Sequence, residues 1–410
     1  MGSGRWSTDV YDAAARFRAA TGASAFAYSD SGAARVHPTL DPHGVRLRES
    51  RDSAEHPQSL AIAVLFDVTG SMRRVPRTLQ AKLPQLLGLL LRKGYVAHPQ
   101  IMFGAIGDAT CDRAPLQIGQ FESDNRMDDD LGRILLEGGG GGQKTESYEL
   151  ALYFMARHTA TDCYERRGKR GYLFIIGDEM AYSRVKPAEV RGVIGDELGE
   201  PLPVAGLMAE VSAKWDTYYV LPAGASYVGD QEVLGFWRDL LGQNVIELAD
   251  LDAVCETIAL TVGLGEDAIS LDDGLADLGD VGSAAGPAVS NALAVIGAGS
   301  ARLELAAPPP DLDGPSGNVR ILGRTAFLGN PGYRRQQSLR IIKEIPHPDV
   351  AVVAKQTPYA LPTALPPLSR AAGVIVIDMP TSFATRVSLP APQDTPMLRQ
   401  TRGAHRNLVV

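Results

Sequence analysis

Three oxygen-bearing side chains follow one apolar segment at a spacing that suits a metal ion. Residues 60–66 form an unbroken apolar run, which predicts a buried strand, and Asp67, Thr69 and Ser71 come directly after it. One carboxylate and two neutral hydroxyl oxygens can therefore converge beyond the carboxyl end of this strand. Hard cations such as Mg²⁺, Mn²⁺ and Ca²⁺ prefer oxygen ligands of this kind. The segment predicts a metal centre, with Mg²⁺ as the first expectation.

Further carboxylates come after two other apolar runs. Asp108 follows residues 101–106, and Asp178 follows residues 172–176. A single Asp in such a place is usually a turn residue or a helix cap. Three Asp residues on one edge of a sheet, beside two hydroxyl groups, favour a ligand-binding site. Glu179 could act as a base beside metal-bound water or be a surface carboxylate, and we favour the surface carboxylate.

The elements that must position these residues alternate between strand and helix. Unbroken apolar strands separated by helices indicate a mostly parallel sheet that is covered on both faces, a doubly wound α/β fold. Ligands on such sheets bind beyond the carboxyl ends of the strands. The predicted strands cover 60–66, 101–106, 116–121, 172–176, 217–221 and 244–248. The predicted helices cover 8–20, 79–90, 146–158, 187–199, 202–214, 230–241 and 251–264, and Pro84 should break the second of them.

The D-x-T-x-S order of Asp67, Thr69 and Ser71 resembles the metal-ion-dependent adhesion site (MIDAS) of von Willebrand factor type A (vWA) domains, and Asp178 matches the last motif of that family. The middle motif of the family is a Gly-rich loop with a Thr ligand. In this chain the loop is 138–142, and Glu146 takes the ligand position, with Thr145 and Ser147 beside it. The resemblance covers residues 58–265. It implies a metal held by Asp67, Thr69, Ser71, Glu146 and Asp178.

A vWA resemblance implies binding through the metal and no enzymatic turnover. Neutral hydroxyl ligands leave the cation electrophilic, so an Asp or Glu of a protein partner would complete its coordination. Glu146 would strengthen cation binding and weaken the attraction for that acidic partner. The expected function is a metal-dependent adaptor or assembly factor, and intracellular relatives work beside AAA+ ATPases or in large assemblies. Self-association stays open.

Three other interpretations compete with this one. The sequence around Asp67 is similar to the aspartyl-phosphate motif of haloacid-dehalogenase-type phosphatases, but Thr69 stands where soluble members carry a second Asp. Residues 138–145 are one Gly short of a nucleotide-binding P-loop, because Gln143 replaces the Gly that lets the backbone wrap the phosphates. The third interpretation is a strand that simply ends in turn residues.

Composition and charge predict the organisation of the chain. Cys111, Cys163 and Cys255 support neither a disulfide framework nor a zinc site, and no signal peptide or membrane span is evident, so we expect a cytoplasmic, bacterial protein. The predicted division is an N-terminal extension (1–57), a vWA domain (58–265), an acidic and then Ala/Gly/Pro-rich linker (266–318) and a basic Pro-rich region (319–410). In that last region, 351–353 and 373–377 have the composition of strands.

The net charge of −8 is unevenly distributed. Residues 318–410 contain twelve Lys or Arg and four Asp or Glu, a balance of +8, so the first 317 residues carry −16. Twelve charges over such a length are too dilute to favour nucleic acid. We expect this region to dock on the protein's own acidic body, around 266–280, or on a neighbouring subunit.

Overall fold

The computed structural model describes residues 4–139, 142 and 144–300, together with four strands nearer the C-terminus, 340–341, 350–356, 373–379 and 383–388. The chain divides into two compact units, 1–302 and 303–410. Each unit is described by itself.

The described residues form sixteen strands. In chain order they are β1 (Arg48–Ser50), β2 (Leu60–Asp67), β3 (Pro99–Ile106), β4 (Leu116–Ile118), β5 (Thr145–Glu146), β6 (Thr159–Thr161), β7 (Gly171–Ile176), β8 (Met180–Ala181), β9 (Arg184–Val185), β10 (Leu202–Pro203), β11 (Trp215–Pro222), β12 (Val245–Leu248), β13 (Arg340–Ile341), β14 (Val350–Gln356), β15 (Gly373–Met379) and β16 (Phe383–Ser388).

Helices fill most of the connections in the first unit. They are α1 (Thr8–Thr21), α2 (Ala27–Asp30), α3 (Val75–Ala81), α4 (Leu83–Leu87), α5 (Arg126–Gly132), α6 (Tyr148–Arg157), α7 (Asp162–Glu165), α8 (Pro187–Val193), α9 (Val204–Lys214), α10 (Gln231–Leu241), α11 (Val254–Gly265), α12 (Leu271–Asp280) and α13 (Gly286–Ser300). Gly70–Met72 and Leu251–Ala253 form 3₁₀ turns, and Gly88–Arg92 forms a π-helical turn.

A six-stranded sheet forms the centre of the first unit, in the order β12-β11-β7-β2-β3-β4. The first five strands are parallel, and β4 is an antiparallel edge strand. Every residue of β2, β3 and β7 is buried, as their apolar composition predicts. The mixed α/β architecture with a mostly parallel, helix-flanked sheet is therefore confirmed.

The order of strands reverses at β2. The chain leaves β2 for β3 on one side and later returns to β7 on the other side. The carboxyl ends of β2 and β7 thus lie side by side at a topological switch point, where open α/β sheets bind ligands. Asp67 ends β2, and Asp178 lies two residues beyond β7.

Local chemistry explains most helix boundaries. Pro84 divides the predicted helix 79–90, because a proline inside a helix removes a backbone hydrogen bond; α3 ends at Ala81, and α4 carries Pro84 in its first turn. Asp230 caps α10 by accepting from the N–H groups of Glu232 and Val233. Ser7 caps α1, and Gly22 ends it with φ 68°.

Residues outside the central sheet add elements that the sequence analysis did not anticipate. Within the predicted N-terminal extension (1–57), β1 pairs in parallel with β6. Residues 271–300, in the stretch interpreted as a linker, form α12 and α13, which pack against α11 and bury Leu278, Val289 and Leu293.

In the second unit, β13 to β16 form a separate four-stranded sheet, with β14 and β15 parallel and the other pairings antiparallel. The expected strands at 351–353 and 373–377 are thus confirmed as parts of β14 and β15. Most of the basic region lies outside the described residues. Across the described part of the chain, no helix combines the length and apolarity that a bilayer crossing requires.

Candidate metal centre

Asp67 is the most constrained of the predicted site residues. Its side chain is fully buried at the end of β2. Its Oδ1 accepts hydrogen bonds from the backbone N–H and the hydroxyl of Thr69, both at 2.6 Å, and its Oδ2 accepts from the hydroxyl of Tyr148 at 2.9 Å. The structure therefore brings Asp67 and Thr69 together, and Ser71 follows in the 3₁₀ turn Gly70–Met72.

The Gly-rich loop closes against this turn through its backbone. The carbonyl of Gly139 accepts from the N–H of Gly70 at 2.7 Å, and the N–H of Gly138 donates to the carbonyl of Val68 at 3.2 Å. A Cβ on Gly139 would lie 2.7 Å from Oδ1 of Asp112, and Gly138 has φ 66°. The positive φ favours glycine at 138, and a side chain at 139 would force Asp112 to move.

Glu146 reaches the site from a strand. Thr145 and Glu146 form β5, which pairs with Met180 and Ala181 of β8, so α6 begins at Tyr148 and not at 146 as expected. The predicted helix start is therefore wrong by two residues. Glu146 is 1% exposed, and its Oε2 is buried with no hydrogen-bond partner among the described residues.

Asp178 and Glu179 complete the cluster from the end of β7. The Oδ2 of Asp178, which is fully buried, accepts from the N–H of Ser226 at 2.7 Å. Glu179 is half-buried, and its Oε2 is buried without a partner among the described residues. Its interpretation as a surface carboxylate therefore holds only in part, because one of its oxygens is shielded from solvent.

Two more carboxylates border this group. Asp108 accepts from the N–H of Thr110 at 2.8 Å and from the hydroxyl of Tyr182 at 3.0 Å, and its own N–H donates to Asp112 at 2.8 Å. We call the set the rim carboxylates; its members are Asp67, Asp108, Asp112, Glu146, Asp178 and Glu179.

The electrostatics of the rim favour protonated carboxyl groups. Burial, the largest cause in each case, raises the pKa of Asp67 to about 7, of Glu179 to about 8 and of Glu146 to about 10. The negative charge of neighbouring carboxylates raises each pKa further, and for Asp67 the hydrogen bonds from Thr69 and Tyr148 act in the opposite direction. Across the described residues, no Lys or Arg forms an ion pair with these three groups. Together they form a cluster of carboxyl groups that burial holds partly protonated and that has no Lys or Arg ion-pair partner among the described residues.

The residues beside Glu146 have structural partners. The Ser147 hydroxyl accepts from the N–H of Ala109 at 2.9 Å, and Thr145 lies opposite Met180 in the β5–β8 pair. Lys144 binds Asp230 at 2.7 Å and Glu232 at 3.3 Å. Of the three residues considered for the third ligand, only Glu146 has a free buried oxygen.

The oxygen ligands at this site are of the kind that a hard cation prefers, but the protein side chains do not surround a metal position by themselves. Within the described residues, no three Asp, Glu, His or Cys side chains converge closely enough to hold a metal by themselves. The residues do provide the Asp67 carboxylate, the Thr69 hydroxyl and the free Oε2 of Glu146. These are oxygen donors of the kind that Mg²⁺ accepts alongside water.

Sequence reasoning missed Tyr148, whose hydroxyl binds Asp67. The sequence feature that is connected with the position of Tyr148 is Gly177, just before Asp178. A Cβ on Gly177 would lie 2.1 Å from the Tyr148 hydroxyl oxygen, so the glycine makes room for this buried side chain. Nothing in the local sequence shows that an α6 residue approaches the end of β7.

Comparisons with known proteins identify no family. No protein-family profile matches the chain, and no curated protein matches it. Two crystal structures of the pilus adhesin SpaC from Lactobacillus rhamnosus GG align with TM-score 0.36 and 8% and 9% identity, over 53% of this chain and 31% and 32% of SpaC. Proximal thread matrix protein 1 from the mussel byssus aligns with TM-score 0.33 and 9% identity over 53% of this chain and 48% of that one. The chain thus spans less than half of each, and likenesses this remote carry no argument.

Proposed function

We propose that this protein is a metal-dependent interaction adaptor or assembly factor with a vWA-type, doubly wound fold. Its centre would be formed by Asp67, Thr69, Ser71, Glu146 and Asp178. The observation that carries the proposal is the buried, cation-free cluster at the switch point between β2 and β7, where Oε2 of Glu146 has no partner among the described residues. Leaving such an oxygen unsatisfied is costly, so a ligand that satisfies it is favoured.

Each residue of the centre has a role that follows from its contacts. Tyr148 and the Thr69 N–H hold the Asp67 carboxylate in one orientation. Glu146 lies on β5, near enough for the charge of Asp67 to contribute to its raised pKa. A bound Mg²⁺, Mn²⁺ or Ca²⁺ would neutralise these groups and offer an open coordination position to an Asp or Glu of the partner.

The competing interpretations find less support. A phosphorylated aspartate needs an accessible oxygen, but Asp67 is fully buried and both of its oxygens accept hydrogen bonds. A P-loop leads directly into a helix that binds phosphate at its N-terminus. In this protein Thr145 belongs to β5, and Lys144 is paired with Asp230.

The proposal is tested by calorimetric titration of the metal-free protein with MgCl₂. Asp67→Ala should lose Mg²⁺ binding, and the exposed, unpaired Asp12→Ala should keep it. Equal Mg²⁺ affinity in Asp67→Ala and the parent would refute the metal centre. A beryllium fluoride adduct at Asp67, or phosphate release from ATP, would favour phosphoryl transfer instead.

Cys111 offers a second readout of the same centre. Its thiol is exposed, whereas Cys163 and Cys255 are buried. Burial, followed by the charges of Asp112, Asp108 and Glu146, raises the Cys111 pKa to about 11. A cation at the rim would oppose these charges, and each unit of lower pKa gives about tenfold more thiolate. Mg²⁺ should therefore speed alkylation of Cys111 in the parent but not in Asp67→Ala.

A further inference from the structure

A cleft on the surface of α3 is not explained by the proposed metal centre. Its volume is ≈ 410 Å³, and its walls are Arg74, Arg77, Thr78, Ala81, Lys82 and Asp252. The first five of these recur at intervals of three and four residues, so they lie on one face of the helix. The cleft is thus built by a single helical face, with Asp252 contributed by the 3₁₀ turn before α11.

The charge of this face is positive and mostly unpaired. Arg73, Arg74 and Arg77 are exposed, and none of them forms an ion pair within the part of the chain that the structure describes. Lys82, by contrast, is paired with Glu256 at 3.3 Å. The Arg77 guanidinium lies 5.5 Å from the centre of the Phe26 ring, which holds it at the surface. Arg74 and Arg77 are therefore the cationic groups of the cleft that have no ion pair among the described residues, and Asp252 is the carboxylate in its wall.

The residues of the cleft follow the proposed metal motif closely in the chain. The turn Gly70–Met72 leads into Arg73 and Arg74, and α3 begins at Val75. At 1.5 Å per helical residue, Arg77 lies about 4.5 Å beyond Arg74, and Lys82 about 12 Å beyond it. A ligand that extends from the metal centre along α3 would therefore meet Arg74 first and then Arg77.

We propose that the cleft is the second half of the partner site and binds an acidic peptide segment. One carboxylate of that segment would complete the metal centre, and the following carboxylates would pair with Arg74 and Arg77. This inference rests on the proposed function for its first contact, whereas the cleft contacts stand on the cationic face alone. Arginine suits carboxylates because its guanidinium forms two parallel hydrogen bonds with them.

An acidic peptide fits better than a nucleic acid or a nucleotide. Asp252, in the wall of the cleft, and the rim carboxylates repel a ligand with dense, continuous negative charge. A peptide spaces its carboxylates along an extended chain at about 3.3 Å per residue. It can therefore place one carboxylate at the metal and others on the arginines, with neutral residues facing the rim.

The test measures fluorescence anisotropy of a labelled peptide of four Gly-Asp repeats with the full chain in MgCl₂. A peptide of four Gly-Asn repeats controls for charge. The double variant Arg74→Glu/Arg77→Glu should weaken binding roughly tenfold or more, because the reversed charges repel the peptide. Arg92→Glu, which changes an exposed arginine outside the cleft, should bind like the parent. Calorimetry should show unchanged Mg²⁺ affinity in the double variant.

The outcomes separate the cleft from the metal centre. Loss of peptide binding in the double variant with Mg²⁺ affinity retained supports the cleft. Equal peptide affinity in the double variant and the parent overturns it, as does tighter binding of ATP or duplex DNA than of the peptide. If Mg²⁺ fails to bind but peptide binding still depends on Arg74 and Arg77, the cleft stands and the proposed function falls.

Discussion

At Asp67, complete burial and the nearby charge of Asp178 favour the neutral carboxyl group, whereas a bound cation requires the ionised one. The two hydrogen bonds from Thr69 and the one from Tyr148 are all donated to Asp67, so they help to hold the ionised form ready. Under the proposed metal centre, the same residue would destabilise the metal-free protein and stabilise the metal-bound one. A substitution that removes the negative charge of Asp67 but keeps the shape of its side chain tests both effects.

Asp67→Asn should make the metal-free protein more stable and abolish its stabilisation by Mg²⁺. The amide oxygen can still accept from Thr69, and no buried charge is left. With the Asp67 pKa raised from 3.8 to about 7, the free energy of unfolding at pH 8 should rise by about 4 kcal/mol. Urea unfolding with EDTA and with MgCl₂ measures both effects. Lower stability in EDTA, or a normal response to Mg²⁺, would contradict this account.

The raised pKa of Glu146 should likewise make the stability of the metal-free protein depend on pH. The Glu146 pKa is raised from 4.5 to about 10, so between these values the folded state binds a proton that the unfolded state has lost. Stability from this group is therefore present at low pH and declines as pH rises. The free energy of unfolding of Glu146→Gln should match that of the parent near pH 5 and exceed it by roughly 4 kcal/mol near pH 8 in EDTA. Glu55→Gln, an exposed control, should show no such divergence.

At the scale of elements, the site depends on close approach between β7 and α6. Gly177→Ala should cost about 2–3 kcal/mol and weaken Mg²⁺ binding, because the new methyl group would push Tyr148 away from Asp67. Gly192→Ala is the matched control. It lies in α8 with open space around its Cβ position, so it should stabilise by about 0.5–1 kcal/mol. Thermal unfolding of both variants, with and without MgCl₂, provides the measurement, and equal behaviour would argue against the Tyr148 contact.

At the scale of the whole molecule, α12 and α13 belong to the first compact unit. Every residue from Val254 to Leu264 in α11 is buried, and α12 and α13 cover part of this surface. A truncated chain of residues 1–302 should fold and bind Mg²⁺. A chain of residues 1–265 should lose roughly 5 kcal/mol or more, because Leu278, Val289 and Leu293 no longer bury their side chains. Comparable urea midpoints for the two chains would contradict this.

The acidic residues around 266–280 and the basic C-terminal region should attract each other. Lys93 already pairs with Asp277 at 2.8 Å and Asp280 at 3.0 Å, and Lys169 pairs with Glu266. The remaining acidic surface should bind a separate chain of residues 303–410 weakly and in a salt-dependent way. Anisotropy across a range of NaCl concentrations tests this expectation. Nanomolar affinity of that chain for duplex DNA at physiological salt would overturn it.

Local sequence determined the central strands and the first metal motif. Strands β2, β3 and β7 are apolar runs that require burial on both faces, and the aspartates after them were expected at one edge because parallel strands end together. Pro84 and Asp230 marked helix boundaries through their own backbone and side-chain chemistry. Such features depend only on neighbouring residues, so they can be predicted without the fold.

Only the tertiary structure decided which groups meet at the site. Glu146 belongs to a strand and not to a helix because β8, more than thirty positions later in the chain, supplies its hydrogen-bond partners. Tyr148, Glu179 and the cationic cleft of α3 likewise depend on residues far apart in the sequence. The spacing of apolar residues predicts which face of a segment is buried, but it does not predict which other segment packs against that face. The chemistry of this site depends on those packing partners.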